Sequence, residues 1–249
     1  MKLLALDTAT EALSVALYVD GEISTRESRP VRGHGAALLP MVEAVLSEAG
    51  LTLGALDALA VGRGPGAFTG VRIAVSVAQG LGLAVGLPIV PVSDLAALAW
   101  QAAGRAALAA PLPVPLSVLA CLDARLGALY TGLVRLGPGC ANATDEAHYL
   151  DVAESLVTAE ALDLPGAEPL LVAGHGWTAA PGLGARFGGR LLAAYPELLP
   201  SGAAIARLAV CRIGLAGLAG AGVGAEALAP TYLRDEVATR SSRAPGAPR

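Results

Sequence analysis

The stretch VGRGPGAFTGVRIAVSVAQGL, residues 61–81, decides the fold, because it joins an apolar strand to an apolar helix through a loop of glycines. Residues 56–61 have the length and composition of a buried strand, 62–70 form the loop, and 71–85 carry a helical apolar pattern. Another short apolar run follows at 88–92. A glycine loop between strand and helix can gather backbone N–H groups at a helix N-terminus, which suits a phosphate. Glycine also permits positive φ and close approach of a second backbone, so a tight turn for helix packing fits equally well. The loop is no Walker A motif, since no Gly-Lys-Ser/Thr follows. Gly62-x-Gly64-x-x-Ala67 meets a loosened dinucleotide pattern, but Pro65 lies inside it and no acidic residue ends a strand at the required distance.

Upstream, an apolar run at 2–6 enters Asp7-Thr8-Ala9-Thr10, strand formers fill 12–19, and Asp20-Gly21 is a hairpin signal leading to 22–26. The chain therefore opens with a three-stranded antiparallel meander. A carboxylate and two hydroxyls at Asp7–Thr10 could hold a magnesium–phosphate group, or make an ordinary turn. Apolar positions at spacings of three and four predict a helix over 36–49, ended by Gly50. A further helix is expected from Ser93, with Ser93 as cap and Asp94 in its first turn.

Three prolines in APLPVP, 110–115, mark a boundary between two halves. Strands are expected at 116–123, 129–136 and 170–173, a turn-rich connector at 137–147, and an apolar helix at 203–221. The organisation expected is an N-terminal αβ lobe at 1–109 and a second lobe at 110–201. A helix and segment at 202–238 follow, then a disordered tail at 239–249. Both halves begin with strands and close with helices, which is compatible with an old duplication.

Apolar residues make up 54% of the 249 residues and charged residues 15%, which argues against disorder. A net charge of −4 and no Lys/Arg cluster argue against a chain that grips nucleic acid alone. Cys121, Cys140 and Cys211 form no CxxC pair and no zinc spacing, so reduced cysteines in a cytoplasmic protein are expected. The N-terminus is interrupted by Asp7 too early for a signal peptide. The uncharged stretch 73–93 is broken by Gln79, glycines and prolines, and reads as a buried helix and strand rather than a membrane span. No two of His34, His148 and His175 share ligand spacing, no serine sits in a G-x-S-x-G elbow, and no catalytic constellation emerges.

Taken together, LALDTATEALSVAL (4–17), GHGAALLPMV (33–42), the 61–81 segment, LDARLGALY (122–130), AGHGW (173–177) and APTYLRDEVA (229–238) resemble the TsaB (YeaZ) family, in the family's order. GRGPGAFTGVRI is the specific piece. The resemblance implies an α/β actin/sugar-kinase/Hsp70-like (ribonuclease H-like) fold of two αβ lobes, the second reduced. It implies a non-catalytic partner of TsaD, the paralogue that transfers threonylcarbamoyl to N6 of adenosine 37 in tRNAs reading codons that start with A. A TsaE-type ATPase joins the pair, and tRNA is met only through the complex. The alternative within the superfamily is an ATP-dependent small-molecule kinase, for which Asp123 is a candidate base by position.

The same resemblance places an expected metal motif of the catalytic paralogue over Asp94–Leu98, where Asp94 and Leu98 replace two histidines. Leucine cannot ligate, so no metal site is expected. No catalytic residue and no required cofactor are expected. Weak ATP or ADP binding in the complex would fall to Asp7, Thr8, Gly64 and Gly66. Leu39, Val42, Val77 and Leu81, on two helices with more apolar positions than one buried face needs, are the expected partner surface, shared with a homodimer when the chain is alone.

Overall fold

The computed structural model describes residues 1–29 and 33–234. The tail expected to be disordered lies outside the described residues. The first half runs β1 (Lys2–Asp7), β2 (Leu13–Val19), β3 (Glu22–Ser28), α1 (His34–Glu48), β4 (Ala58–Gly62), α2 (Phe68–Val85), β5 (Ile89–Val92) and α3 (Asp94–Ala107). Its sheet has the order β3-β2-β1-β4-β5. The opening meander is antiparallel, and β4 and β5 add parallel to β1. Asp20 (φ 47°) and Gly21 (φ 109°) turn the β2–β3 hairpin, the two consecutive positive φ angles that a tight primed turn demands.

The second half repeats the plan with β6 (Leu116–Asp123), β7 (Ala128–Leu136), β8 (Ala153–Thr158), β9 (Leu170–Ala173), α4 (Gly176–Ala179), α5 (Gly182–Phe187), β10 (Leu191–Tyr195) and α6 (Gly202–Ala221). Read from its meander end, this sheet is β8-β7-β6-β9-β10, with the same two antiparallel and two parallel pairings. The same topology twice over is the actin/sugar-kinase/Hsp70-like fold. The second copy is reduced. No helix joins β8 to β9 where α1 joins β3 to β4, and the short α4 and α5 replace the 18-residue α2.

The last helix of each half crosses to the other sheet. α3 packs on β6, β7 and β9, while α6 packs across β1, β2, β4 and β5. The prolines at 111, 113 and 115 thus separate the two sheets but not their packing. Between the sheets, Leu3, Ala5 and Ala16 face Leu95, Ala99, Ile205 and Leu208, which in turn meet Val118, Ala120 and Leu171. Two helices fit in that layer because their inward positions are mostly alanine, which lets backbones approach closely and explains the alanine-rich composition. The alternate residues Leu4, Leu6, Val15 and Leu17 form a second core with Leu38, Val42 and Val45 of α1 and Val71, Ala74, Val75 and Ala78 of α2. β1 is apolar at successive residues because both of its faces are covered.

Three local findings differ from the sequence expectation. α2 begins at Phe68 rather than at Val71, because Ala67 is extended (φ −61°, ψ 121°) and the loop folds directly into the first turn. The sequence carries no signal for β8 and β10: they are short, lie at the outer edges of their sheet and are largely half-buried, so their pattern is weak. The helix expected at 203–221, α6, is interrupted at Gly217 (φ 70°, ψ 162°). As expected of the stretch 73–93, α2 packs one face on the β-sheet core, and α6 lies between the layers, although both helices are long and apolar enough to cross a membrane by length and composition.

Candidate functional site

The C-terminal ends of β1, β4 and β5 lie side by side, the edge at which parallel α/β sheets place ligands. The turn after β1 and the glycine loop after β4 meet there. The Thr8 hydroxyl donates to the Gly70 carbonyl at 2.6 Å, and Ala67 N–H donates to the Ala9 carbonyl at 2.7 Å. A Cβ at Gly70 would lie 2.0 Å from the Thr8 carbonyl oxygen, and one at Gly66 would lie 2.5 Å from that of Ala9. These glycines are therefore required by backbone-to-backbone contact. Gly64 adopts φ 95°, and its N–H donates to Asp94 Oδ2.

Of the four residues considered for phosphate, Asp7 and Thr8 are wholly buried, Gly64 is buried with its N–H engaged, and only Gly66 borders open space. The tight-turn interpretation is the one these bonds support. Asp94, placed by resemblance where a metal ligand would stand, turns inward to the loop, and Leu98 is a core residue. Among the described residues no group of three or more His, Cys, Asp or Glu is arranged to hold a metal ion.

A pair of buried carboxyls, unforeseen in the sequence, sits under this loop. Asp7 Oδ1 accepts Ala9 N–H at 2.8 Å, while among the described residues Asp7 Oδ2 and Asp94 Oδ1 have no hydrogen-bond partner. Burial raises the Asp7 pKa to about 6, against the lowering effect of the neighbouring Asp94 carboxyl and of the Ala9 and Thr8 backbone. Asp94 is pushed well above the carboxylate range by burial first, and then by the charge of Asp7. A proton shared between the two carboxyls would supply the donor that these oxygens lack. Sealed from solvent, the pair cannot reach a substrate; it ties the end of β1 to the loop and to the start of α3.

The residues after α6 strap this assembly. Thr231 N–H donates to the Arg63 carbonyl at 2.7 Å, and Gln79 donates to the carbonyls of Ala225 (3.1 Å) and Leu228 (3.0 Å). Arg63 reaches the second sheet, donating to both carboxylate oxygens of Glu154 at 3.1 and 3.2 Å, and also bonds the Thr231 hydroxyl. Arg234 donates to the carbonyls of Ala124 (3.1 Å) and Arg125 (3.3 Å). Beside the strap lies an open cleft of about 460 Å³ between the sheets, bordered by Thr10, Gly66, Asp123, His175 and Tyr232. Asp123, the position considered for a kinase base, is bound to Arg125: its Oδ1 accepts Arg125 N–H at 2.8 Å and its Oδ2 accepts from the guanidinium at 3.2 Å.

The outer face of α1 and α2 carries the expected partner surface. Leu39 is 45% exposed, whereas Val77 and Leu81 are half-buried against the core. Val42 is a correction: it is 3% exposed and belongs to the core beneath that face, because it shares the inward stripe of Leu38 and Val45. An aromatic–cation cluster extends the face at the start of α2. The Arg72 guanidinium lies 3.5 Å from the Phe68 ring centroid and 5.2 Å from that of Tyr232, and Arg72 Nε donates to the Tyr232 hydroxyl at 2.6 Å. A stretch of α2 from Phe68 to Val77 lines a shallow hollow of about 440 Å³ next to it.

Comparison with known proteins follows the same line. A family model described as "TsaD: tRNA N6-adenosine threonylcarbamoyltransferase" matches residues 28–174. The chain is 37% identical over 241 residues to the tRNA threonylcarbamoyladenosine biosynthesis protein TsaB of Escherichia coli (strain K12), with 96% of each chain covered. To the protein of the same name from Haemophilus influenzae it is 45% identical over 130 residues, 52% of each chain. Among solved structures, "YeaZ from Pseudomonas aeruginosa" superposes with a TM-score of 0.74 at 38% identity, covering 93% of this chain and 99% of that one.

Proposed function

This chain belongs to the TsaB (YeaZ) family of tRNA threonylcarbamoyladenosine biosynthesis proteins, and we propose that within it the chain is a non-catalytic subunit that docks on a TsaD-type catalytic partner. The observation that carries this reading is the closure of the glycine loop on the protein itself. The Thr8 hydroxyl and the N–H groups of Gly64 and Ala67 all have protein acceptors, and Asp7 and Asp94 are sealed beneath them. A superfamily fold closed in this way keeps its shape without presenting reacting groups.

Docking uses the outer face of α1 and α2, with Leu39 and the Phe68–Arg72–Tyr232 cluster exposed and Val77 and Leu81 half-buried behind them. Alone, the chain pairs with a second copy through this face, and TsaD displaces the copy to form a pseudo-symmetric heterodimer. A TsaE-type ATPase joins the pair in the cytoplasm. The net charge of −4 accords with tRNA being held by the complex and not by this chain. No cofactor is required by the chain, and any nucleotide contact it makes in the complex is weak.

Light scattering on the chain alone and mixed with its TsaD-type partner tests the docking. A homodimer that converts to a one-to-one heterodimer is the expected result. A monomer that stays monomeric in the mixture overturns it.

A further inference from the structure

The connector between β7 and β8 carries a thiol–imidazole pair. Cys140 Sγ lies 3.1 Å from His148 Nε2. Cys140 is half-buried and His148 is exposed, so a small reagent can reach both. The connector is held in place on two sides: Trp100 Nε1 of α3 donates to the Thr144 carbonyl at 2.9 Å, and Arg212 of α6 donates to the Leu150 carbonyl at 2.7 Å. Within it, the Tyr149 hydroxyl donates to the Ala143 carbonyl at 2.6 Å. The pair thus sits on a fixed frame.

The other two cysteines have different surroundings. Cys121 is buried against Gly176, where a Cβ would lie 2.6 Å from its Sγ, and burial pushes its thiol up to about 12. The Cys211 thiol is also raised, by burial first and then by the charges of Glu146 and Asp145. Both are held as thiols, the unreactive form.

We propose that Cys140 is a site of reversible covalent modification by small-molecule disulfides, with His148 as the base that takes its proton. The Sγ proton passes to Nε2, and the thiolate attacks one sulfur of the disulfide. A new Sγ–S bond forms as the reagent's S–S bond breaks, and the departing thiolate recovers the proton from the imidazolium. Cys140 is oxidised and half of the reagent is reduced to a thiol, so the exchange needs no other oxidant.

The test treats the full chain with oxidised glutathione and maps adducts by peptide mass spectrometry over time. Cys140 is expected to react at least about tenfold faster than Cys211, and Cys121 not at all while the fold persists. His148→Ala should slow Cys140 to the rate of Cys211. Unfolding the wild-type chain in urea should also slow Cys140, because the pair is then dissolved. Equal rates for Cys140 and Cys211 in the native chain, an unchanged Cys140 rate in His148→Ala, or an unchanged rate on unfolding would each overturn the proposal.

Discussion

Asp7 and Asp94 bring their carboxyl groups together over Gly62, where a Cβ would lie 2.4 Å from Asp94 Oδ1 and 3.0 Å from Asp7 Oδ1. The glycine that ends β4 is what leaves room for the pair. The folded state holds a proton that the unfolded chain releases more readily, so stability is fully present below the ordinary 3.8 and falls as pH rises through about 6 for Asp7, with Asp94 extending the loss to higher pH. Denaturant titrations from pH 4 upward should show this decline.

Asp94→Asn should flatten it. The asparagine oxygen can still accept Gly64 N–H, and its amide supplies to Asp7 the donor that otherwise requires a proton. Above neutral pH this variant should equal or exceed the wild type. Asp94→Ala should instead lose about 1–3 kcal/mol, because Gly64 N–H is left buried without an acceptor. Urea midpoints for both variants, with the fold checked by circular dichroism, decide the matter.

Gly70→Ala should be more damaging than a helix propensity scale suggests. Alanine is the better helix former, yet its Cβ would meet the Thr8 carbonyl at 2.0 Å. Backbone on both sides must shift, at a cost of about 1–3 kcal/mol or more. A melting temperature unchanged from wild type would show that the turn and loop are not packed as described.

Arg63→Ala should weaken the tie between the first sheet and β8. Glu154 is left nearly buried without its two guanidinium bonds, and Thr231 loses a partner. A loss of about 1–3 kcal/mol is expected in urea unfolding. A double-mutant cycle with Glu154→Gln isolates the coupling.

Leu39→Asp and Val42→Asp separate surface from core on the same helix. Leu39→Asp should leave the melting temperature nearly unchanged and weaken affinity for the TsaD-type partner about tenfold or more by calorimetry. Val42→Asp places a carboxylate in the core and should destabilise the monomer itself. Equal affinity of Leu39→Asp and wild type would move the interface elsewhere.

Much of the fold was legible in the sequence because its strong elements obey strong local rules. β6 follows Pro115 and is apolar but for Ser117 and the closing Asp123, β9 is a run of four apolar residues between Pro169 and Gly174, and the sequence bounds both to the residue. Ser93 caps α3 through its side chain, accepting Ala96 N–H at 3.1 Å, as its position before Asp94 announced. The edge strands β8 and β10 carry no comparable pattern. The site was less legible for a different reason. Asp94 looks like an ordinary first-turn acid, and nothing local says that its side chain turns back to meet Asp7 across the ends of two strands. In the same way, Val42 and Leu39 are both apolar positions of one helix, and only packing tells the inward one from the outward one.

The most direct measurement is the yield of threonylcarbamoyladenosine in a mixture of purified TsaD-type and TsaE-type proteins, threonylcarbamoyl-AMP synthase, tRNA, ATP, threonine and bicarbonate, with and without this chain. Modified adenosine is expected only when the chain is present, with Leu39→Asp reducing the yield and Asp94→Asn supporting it fully. Equal yield without the chain, or none with it, would contradict its role as the docking subunit of this enzyme.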